Sequence, residues 1–312
     1  MASFVDNLRD PVIFAIPVFV LFMAFEMLSM RYLDDERDGE RDGEPGGEQG
    51  GHPPGAGYEH RDTRTNVFMG LGSLIVNGGA RVVALLAYSA LYVLTPLRLD
   101  AHRWYTWVFA LLAVDLLFYT EHRAAHRVRI LWAAHQAHHS SQRFNLSTAV
   151  RQKWNPWWEL LVWVPLPLLG VPPWMIFTTF SFNLIYQFFV HTERIGRMWA
   201  PIELIFNTPS HHRVHHASDA DYIDKNYAGV LIIWDRMFGS FIEETHRPTY
   251  GLTTNIESYN PFKLQYYLYG QIWRDVKHAT CWRDRLGYVF GPPGWTPIRH
   301  VPAVDALETA AA

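Results

Sequence analysis

One cysteine, Cys281, stands in 312 residues. That excludes an intramolecular disulfide, a CxxC redox pair, a cysteine-based zinc knuckle and covalent c-type haem attachment. Charge is scarce too: Asp, Glu, Lys and Arg make up 18% of the chain, and 27 basic against 30 acidic residues leave a net charge of -3. A general polyanion-binding surface is excluded on those grounds. The chain also lacks HExxH, a GxSxG elbow, a P-loop and a GxGxxG that opens a helix after a strand. What it has is apolar and aromatic mass, 49% hydrophobic and 15% Phe, Trp and Tyr, together with 16 histidines. Mean hydropathy is near zero because strongly apolar runs are diluted by polar blocks, a membrane signature.

Pro11 to Met30 is an apolar run of 20 residues with one charge, Glu26. At about 1.5 Å per residue it matches a hydrocarbon core of roughly 30 Å and reads as a first span. A cleaved signal peptide fits less well, since the start MASFVDNLRD carries no net positive charge and no small-residue cleavage site follows. Tyr32 to Arg64 is acidic and rich in Gly and Pro, which predicts a solvated linker. Thr65 to Leu97 is apolar apart from Arg81, but Asn77-Gly78-Gly79 interrupts it, so one broken span or two half-spans are expected. Trp104 to Thr120, charged only at Asp115, is the next span. Leu160 to Val190, 31 residues without Asp, Glu, Lys or Arg, is expected to be a two-helix hairpin, because prolines crowd its first half.

Between those spans, Glu121 to Lys153 carries Arg123, Arg127, Arg129, Arg143, Arg151 and Lys153 against one acid. The excess of basic residues places this segment on the cytoplasmic side, where it is also a candidate docking region for a redox partner. Trp154, Trp157, Trp158 and Trp163 read as an aromatic belt at the membrane interface. Residues 261–290 mix aromatics with Arg and Lys, as an interfacial helix does. The expected fold is all-α: a polytopic membrane helical bundle of four or five spans with a cytoplasmic helical cap that holds a histidine-rich di-metal site. Its parts are an N-terminal span at 1–31, the linker at 32–64, a membrane domain at 65–297 and a C-terminal tail at 298–312.

Ten of the 16 histidines lie between residues 122 and 216. They form His122-x-x-x-His126, His135-x-x-His138-His139, a lone His191, and His211-His212-x-x-His215-His216. On a helix, positions three and four apart share a face, so HxxxH presents two imidazoles on one side and HxxHH up to three. At this histidine frequency HxxHH is expected about 0.04 times per chain by chance, and it occurs twice. Eight or nine imidazoles exceed what one ion takes, so two metals are implied, with iron, copper or zinc suited to neutral nitrogen donors. Asp115, Glu121, Glu193 and Asp219 are the candidate outer acceptors that would fix imidazole tautomers, and Ser210 is the expected cap of the last box's helix. His52, His60, His102, His246, His278 and His300 read as ordinary histidines. A metal-handling membrane protein, such as a transporter or metal chaperone, is the alternative from another class. A b-haem carrier would leave most boxes unexplained.

These motifs resemble the fatty acid hydroxylase and sterol desaturase superfamily, integral membrane enzymes whose histidine boxes hold a non-haem di-iron centre. LWAAHQAHHSSQRFNLSTAVRQ, NTPSHHRVHHASD, YIDKNYAGVLIIWDRMFGSF and GPPGW resemble in particular the alkylglycerol monooxygenase-like branch. The resemblance covers roughly residues 60–297 and implies an O2-dependent oxidoreductase, a monooxygenase that hydroxylates or desaturates a lipid such as a fatty acyl, sterol or ether lipid. It implies His122, His126, His135, His138, His139, His212, His215 and His216 as metal ligands, with His191 as the additional histidine before the last box; His211 falls outside the box positions. No catalytic residue separate from the ligands is implied. Two irons, O2, the tetrahydrobiopterin of that branch and an external electron donor (a ferredoxin, cytochrome or reductase) are its expected cofactors and partners. The expected location is the membrane, a bacterial inner membrane, with the metal site facing the cytoplasm. Arg127 departs from the branch, which carries an acid there, and the branch proteins are longer.

Overall fold

In a computed structural model the structure describes residues 10–41 and 57–297. Thirteen helices follow one another there: α1 Pro11–Arg41, α2 His60–Leu94, α3 Trp104–Arg127, α4 Arg129–His139, α5 Leu146–Ala149, α6 Trp157–Val162, α7 Pro165–Leu168, α8 Pro173–Val190, α9 Ala200–Ile205, α10 Pro209–His215, α11 Ile233–Phe238, α12 Pro261–His278 and α13 Trp282–Phe290. Among the described residues no strand forms, and only two isolated bridges occur, Phe206 with Leu231 and Ala217 with Tyr250. The fold is all-helical, as expected.

Two stretches, Pro11–Tyr32 and His60–Leu94, are long and apolar enough to cross a membrane, against the four or five expected. α3 and α8 fall short of that measure because polar residues dilute their apolar runs. Those residues face one another, Asn183 of α8 donating to Asp115 of α3 at 2.7 Å.

α2 runs unbroken through Asn77-Gly78-Gly79, so neither the broken span nor the two half-spans form. A glycine costs a helix about 1 kcal/mol. An unsatisfied peptide group in an apolar environment costs several kcal/mol, so the intact helix wins. α1 continues to Arg41, well into the expected linker, and α2 begins at His60. Extending a formed helix is far easier than nucleating one. Residues 42–56 of the linker and the tail at 298–312, with His52 and His300, lie outside the described residues. The first arm of the expected hairpin is two short helices, α6 and α7, because the prolines at 165, 167, 172 and 173 punctuate it, and only α8 is long.

The main core joins α2, α3 and α8 through Ala84, Tyr88, Ala110, Phe118, Met175 and Phe177, with Trp163 and Leu166 closing it. Small residues such as Ala84 and Ala110 let the helix backbones approach. α1 is no appendage: Phe19 stacks on Phe188 of α8 with ring centroids 4.0 Å apart. Its buried Glu26 accepts from the Leu146 N–H at 2.8 Å and from the hydroxyls of Tyr58 at 2.6 Å and Thr192. Arg81 is likewise paired, with Asp10. Charges within apolar helices carry partners for this reason.

The expected tryptophan belt divides. Trp157 and Trp158 are exposed, but Trp154 donates its indole N–H to the Met69 carbonyl at 2.9 Å and Trp163 is core. α12 buries Leu264, Gln265 and Ile272 while Phe262, Tyr266 and Trp273 stay exposed, the amphipathic arrangement expected of residues 261–290.

Candidate metal centre

α3, α8 and α10 converge with α4 at one end of the bundle and bring nine imidazoles into two adjoining groups. His122, His126, His135, His139 and His215 form the first; His138, His191, His212 and His216 form the second. Within each group one nitrogen from every ring lies within 4.8 Å of the others. Each HxxHH box is divided two to one: His135 and His139 face the first group and His138 the second, while His212 and His216 face the second and His215 the first. Adjacent side chains on a helix point about 100° apart, so α4 and α10 form walls shared by both groups rather than a face for one ion.

The tautomers show what the groups fit. Nδ1 of His122 lies 2.7 Å from the Tyr227 carbonyl, that of His191 2.7 Å from the Gln187 carbonyl, that of His138 3.1 Å from the Arg151 carbonyl and that of His215 3.1 Å from the Lys225 carbonyl. A carbonyl only accepts, so in each neutral ring Nδ1 carries the proton and Nε2 is a bare lone pair. Yet Nε2 of His138 and Nε2 of His191 face each other at 3.3 Å, and no hydrogen bond joins two acceptors. Nε2 of His126, His215 and His216 is buried with no partner. Converging buried lone pairs fit cations, and a carbonyl on the far nitrogen is how ligating imidazoles are commonly oriented.

Electrostatics agree with that donor set. Burial, and then repulsion among the rings, holds His135, His139, His212, His215 and His216 well below the ordinary imidazole range. His138 is pushed down in the same way, and burial lowers His191 to about 4. All are neutral near pH 7, the form that binds a metal. Aromatic rings seal the periphery: Trp132 packs on His126 and His139, and Phe144, itself stacked on Tyr250, packs on His191, His212 and His216.

The four carboxylates expected to hold imidazoles do other work. Among the described residues none of them is hydrogen-bonded to a histidine. Asp115 accepts from Asn183, from the Val230 and Leu231 N–H groups and from the Trp234 indole. Glu121 pairs with half-buried Lys153, Glu193 with Arg247 and the Tyr250 hydroxyl, and Asp219 accepts from the Thr249 N–H. Among the described residues, the acid that reaches one of the nine rings is Asp224, 3.7 Å from His126 Nδ1. It also binds Arg127 at 2.6 Å, so the residue that departs from the branch pattern has its own acid. Asp224 has a left-handed backbone, which spacing cannot reveal.

His211 stands apart: its Nε2 pairs with Glu203 at 2.9 Å and its Nδ1 accepts from the Thr208 N–H. Thr208, not Ser210, is the N-cap of α10. Ser210 donates to Glu203 instead. The basic segment is only partly open: Arg151 is buried in an ion pair with Asp62, half-buried Lys153 pairs with Glu121 and Glu159, and Arg129 pairs with Asp275, while Arg127 is exposed. A cavity of about 530 Å³ lies between α1 and α2 beside Met27, Phe68 and Leu71. None of the nine histidines lines it.

The family model of the fatty acid hydroxylases matches residues 107–240, which span all nine histidines. The chain is 42% identical to alkylglycerol monooxygenase of Homo sapiens over 243 residues, 76% of this chain and 53% of the relative. It is 43% identical to that of Danio rerio over 215 residues, 65% of this chain and 47% of the relative. Ornithine lipid hydroxylase OlsE of Rhizobium tropici is 27% identical over 198 residues, 59% of this chain and 58% of the relative. The chain thus spans about half the length of the curated relatives it matches. The alkylglycerol monooxygenases are animal proteins and lend no support to the bacterial inner membrane expected above. No solved structure matches.

Proposed function

Because the chain belongs to the fatty acid hydroxylase superfamily, in the branch that resembles alkylglycerol monooxygenase, we propose that it is an O2-dependent, non-haem di-iron membrane oxygenase that hydroxylates a C–H bond of a lipid. The observation that carries this reading is the convergence of bare, buried Nε2 lone pairs within each of two adjoining imidazole groups. Hydroxylation is favoured over desaturation because the relatives are named as a monooxygenase and a hydroxylase.

The first group would hold one iron and the second group the other, with His122, His126, His135, His139 and His215 on one side and His138, His191, His212 and His216 on the other. Bound there, two ferrous irons supply the chemistry R–H + O2 + 2 e⁻ + 2 H⁺ → R–OH + H2O. The protein supplies geometry and insulation. Backbone carbonyls aim the rings, burial keeps them neutral, and Trp132 and the Phe144–Tyr250 pair exclude water from the imidazoles. Exposed apolar side chains on α1 and α2, among them Phe14, Leu21, Leu71 and Ile75, seat the molecule in lipid. The lipid substrate approaches from that phase and raises its reacting carbon to the metal end. The excess of basic residues in Glu121 to Lys153 at that end supports a cytoplasmic placement. The two electrons come from an external donor.

The test is metal content by mass spectrometry on detergent-purified, iron-grown protein, followed by lipid profiles with and without O2. About two irons per chain and an O2-dependent hydroxylated lipid are expected. Zinc alone in protein that stays empty of iron under anaerobic loading, or a haem absorbance, would overturn the proposal.

A further inference from the structure

Residues 222–241 contribute no imidazole to either group, yet they reach three of the five rings in the first. Asp224 Oδ1 lies 3.7 Å from His126 Nδ1, the Lys225 carbonyl accepts from His215 Nδ1 at 3.1 Å, and the Tyr227 carbonyl accepts from His122 Nδ1 at 2.7 Å. Four consecutive residues therefore set the orientation of three rings that come from two different helices. Asp224 and Asn226 have left-handed backbones, with φ of 61° and 53°. Residues other than glycine keep that conformation only where the surroundings hold it.

Two buried carboxylates do the holding. Asp235 accepts from the Tyr227 N–H at 2.9 Å and the Ala228 N–H at 2.8 Å. Asp115, on α3, accepts from the Val230 N–H at 2.8 Å and the Leu231 N–H at 3.0 Å. Asn226 adds a third anchor, its side chain donating to the His211 and Ile242 carbonyls and accepting from the Ile242 N–H. The rings of the second group take their orienting carbonyls elsewhere, His138 from Arg151 and His191 from Gln187.

We propose that residues 224–231 are a strap that orients the first metal site alone, with Asp224, Asp235 and Asp115 as its positioning residues. Asp224 acts on His126 directly. Asp235 and Asp115 act through the main chain, by fixing where the Tyr227 and Lys225 carbonyls stand. The strap rests on the reading of the nine imidazoles as a di-metal centre. It also accounts for a motif that the histidines leave unexplained: Asp224, Asn226, Tyr227, Trp234, Asp235 and Ser240 are the residues of YIDKNYAGVLIIWDRMFGSF that build or anchor it.

The test uses the full chain in detergent, stripped of metal and titrated with Co²⁺ under visible absorption. The His212→Ala/His216→Ala variant retains only the first group and the His135→Ala/His139→Ala variant only the second. Asp224→Asn is expected to weaken Co²⁺ binding about tenfold or more in the first background and to leave the second unchanged. Asp235→Asn should do the same, and Asp224→Glu should recover part of the loss. Equal weakening in both backgrounds, or none in either, overturns the strap while the metal reading stands. Should the chain with all nine histidines bind no Co²⁺, both fall. Asp224 is about a quarter exposed, so its variant decides the matter even if Asp235→Asn does not fold.

Discussion

The first imidazole group takes rings from α3, α4 and α10, the second from α4, α10 and the end of α8, so two of their three supports are common. Their orientation is not. In the second group His191 is aimed by Gln187 four residues earlier on its own helix, and His138 by Arg151, which is locked in a buried ion pair with Asp62. In the first, one loop supplies the orienting partners of three rings, standing 105 residues from His122 but ten from His215, and its backbone holds a disfavoured conformation under two carboxylates. The contrast teaches that two sites sharing helices are separately adjustable when their orienting acceptors differ.

The strongest way to break the comparison is to remove one group at a time. His135→Ala/His139→Ala and His212→Ala/His216→Ala should each leave about one metal per chain and no detectable lipid oxidation, read by mass spectrometry and product analysis. Loss of both metals from either variant would mean the shared helices collapse together.

Acid probes the two groups at once. The unfolded chain takes up protons near pH ~6.5, whereas the buried rings resist them, His191 down to about 4. Their contribution to the stability of the metal-free protein is therefore full above pH ~6.5 and is lost as pH falls toward ~4. Thermal melts across that window should show a steep drop, and metal loading should move it to lower pH. A flat profile would contradict the buried, neutral rings.

Arg151→Ala strikes the second group's support. Its guanidinium bonds Asp62 at 2.9 Å and Asn66 at 2.7 Å, and both partners are buried. Stranding the Asp62 charge should cost about 3–5 kcal/mol, measured by denaturation, with the second site's metal affinity falling more than the first's. Gly229→Ala is the milder counterpart on the strap. An added Cβ would stand 2.7 Å from Asn183 Oδ1 and 2.9 Å from a Phe118 ring carbon, an overpacking of about 1–3 kcal/mol. Its metal effect should fall on the first site alone.

The amino-acid sequence by itself marked eight of the nine imidazoles that meet, because HxxxH and HxxHH spacing commits rings to neighbouring positions on any helix that carries them; His191 lies in no box and entered only through the family resemblance. It determined equally that the chain is helical and apolar enough for a membrane. Other features depend on contacts between residues far apart in the chain, and only the tertiary structure decided them. The boxes split across two sites because the α4 rings meet His122, His126 and His215 in one group and His191, His212 and His216 in the other. Glycines at 78 and 79 stay helical because the apolar setting leaves their peptide groups no other partner. Asp224 serves His126 from 98 residues away, through a left-handed turn that no spacing rule encodes. Asp115 and Glu121, which local position marked as partners of the rings, turned to the backbone and to Lys153 because those groups lay nearer once the chain was folded.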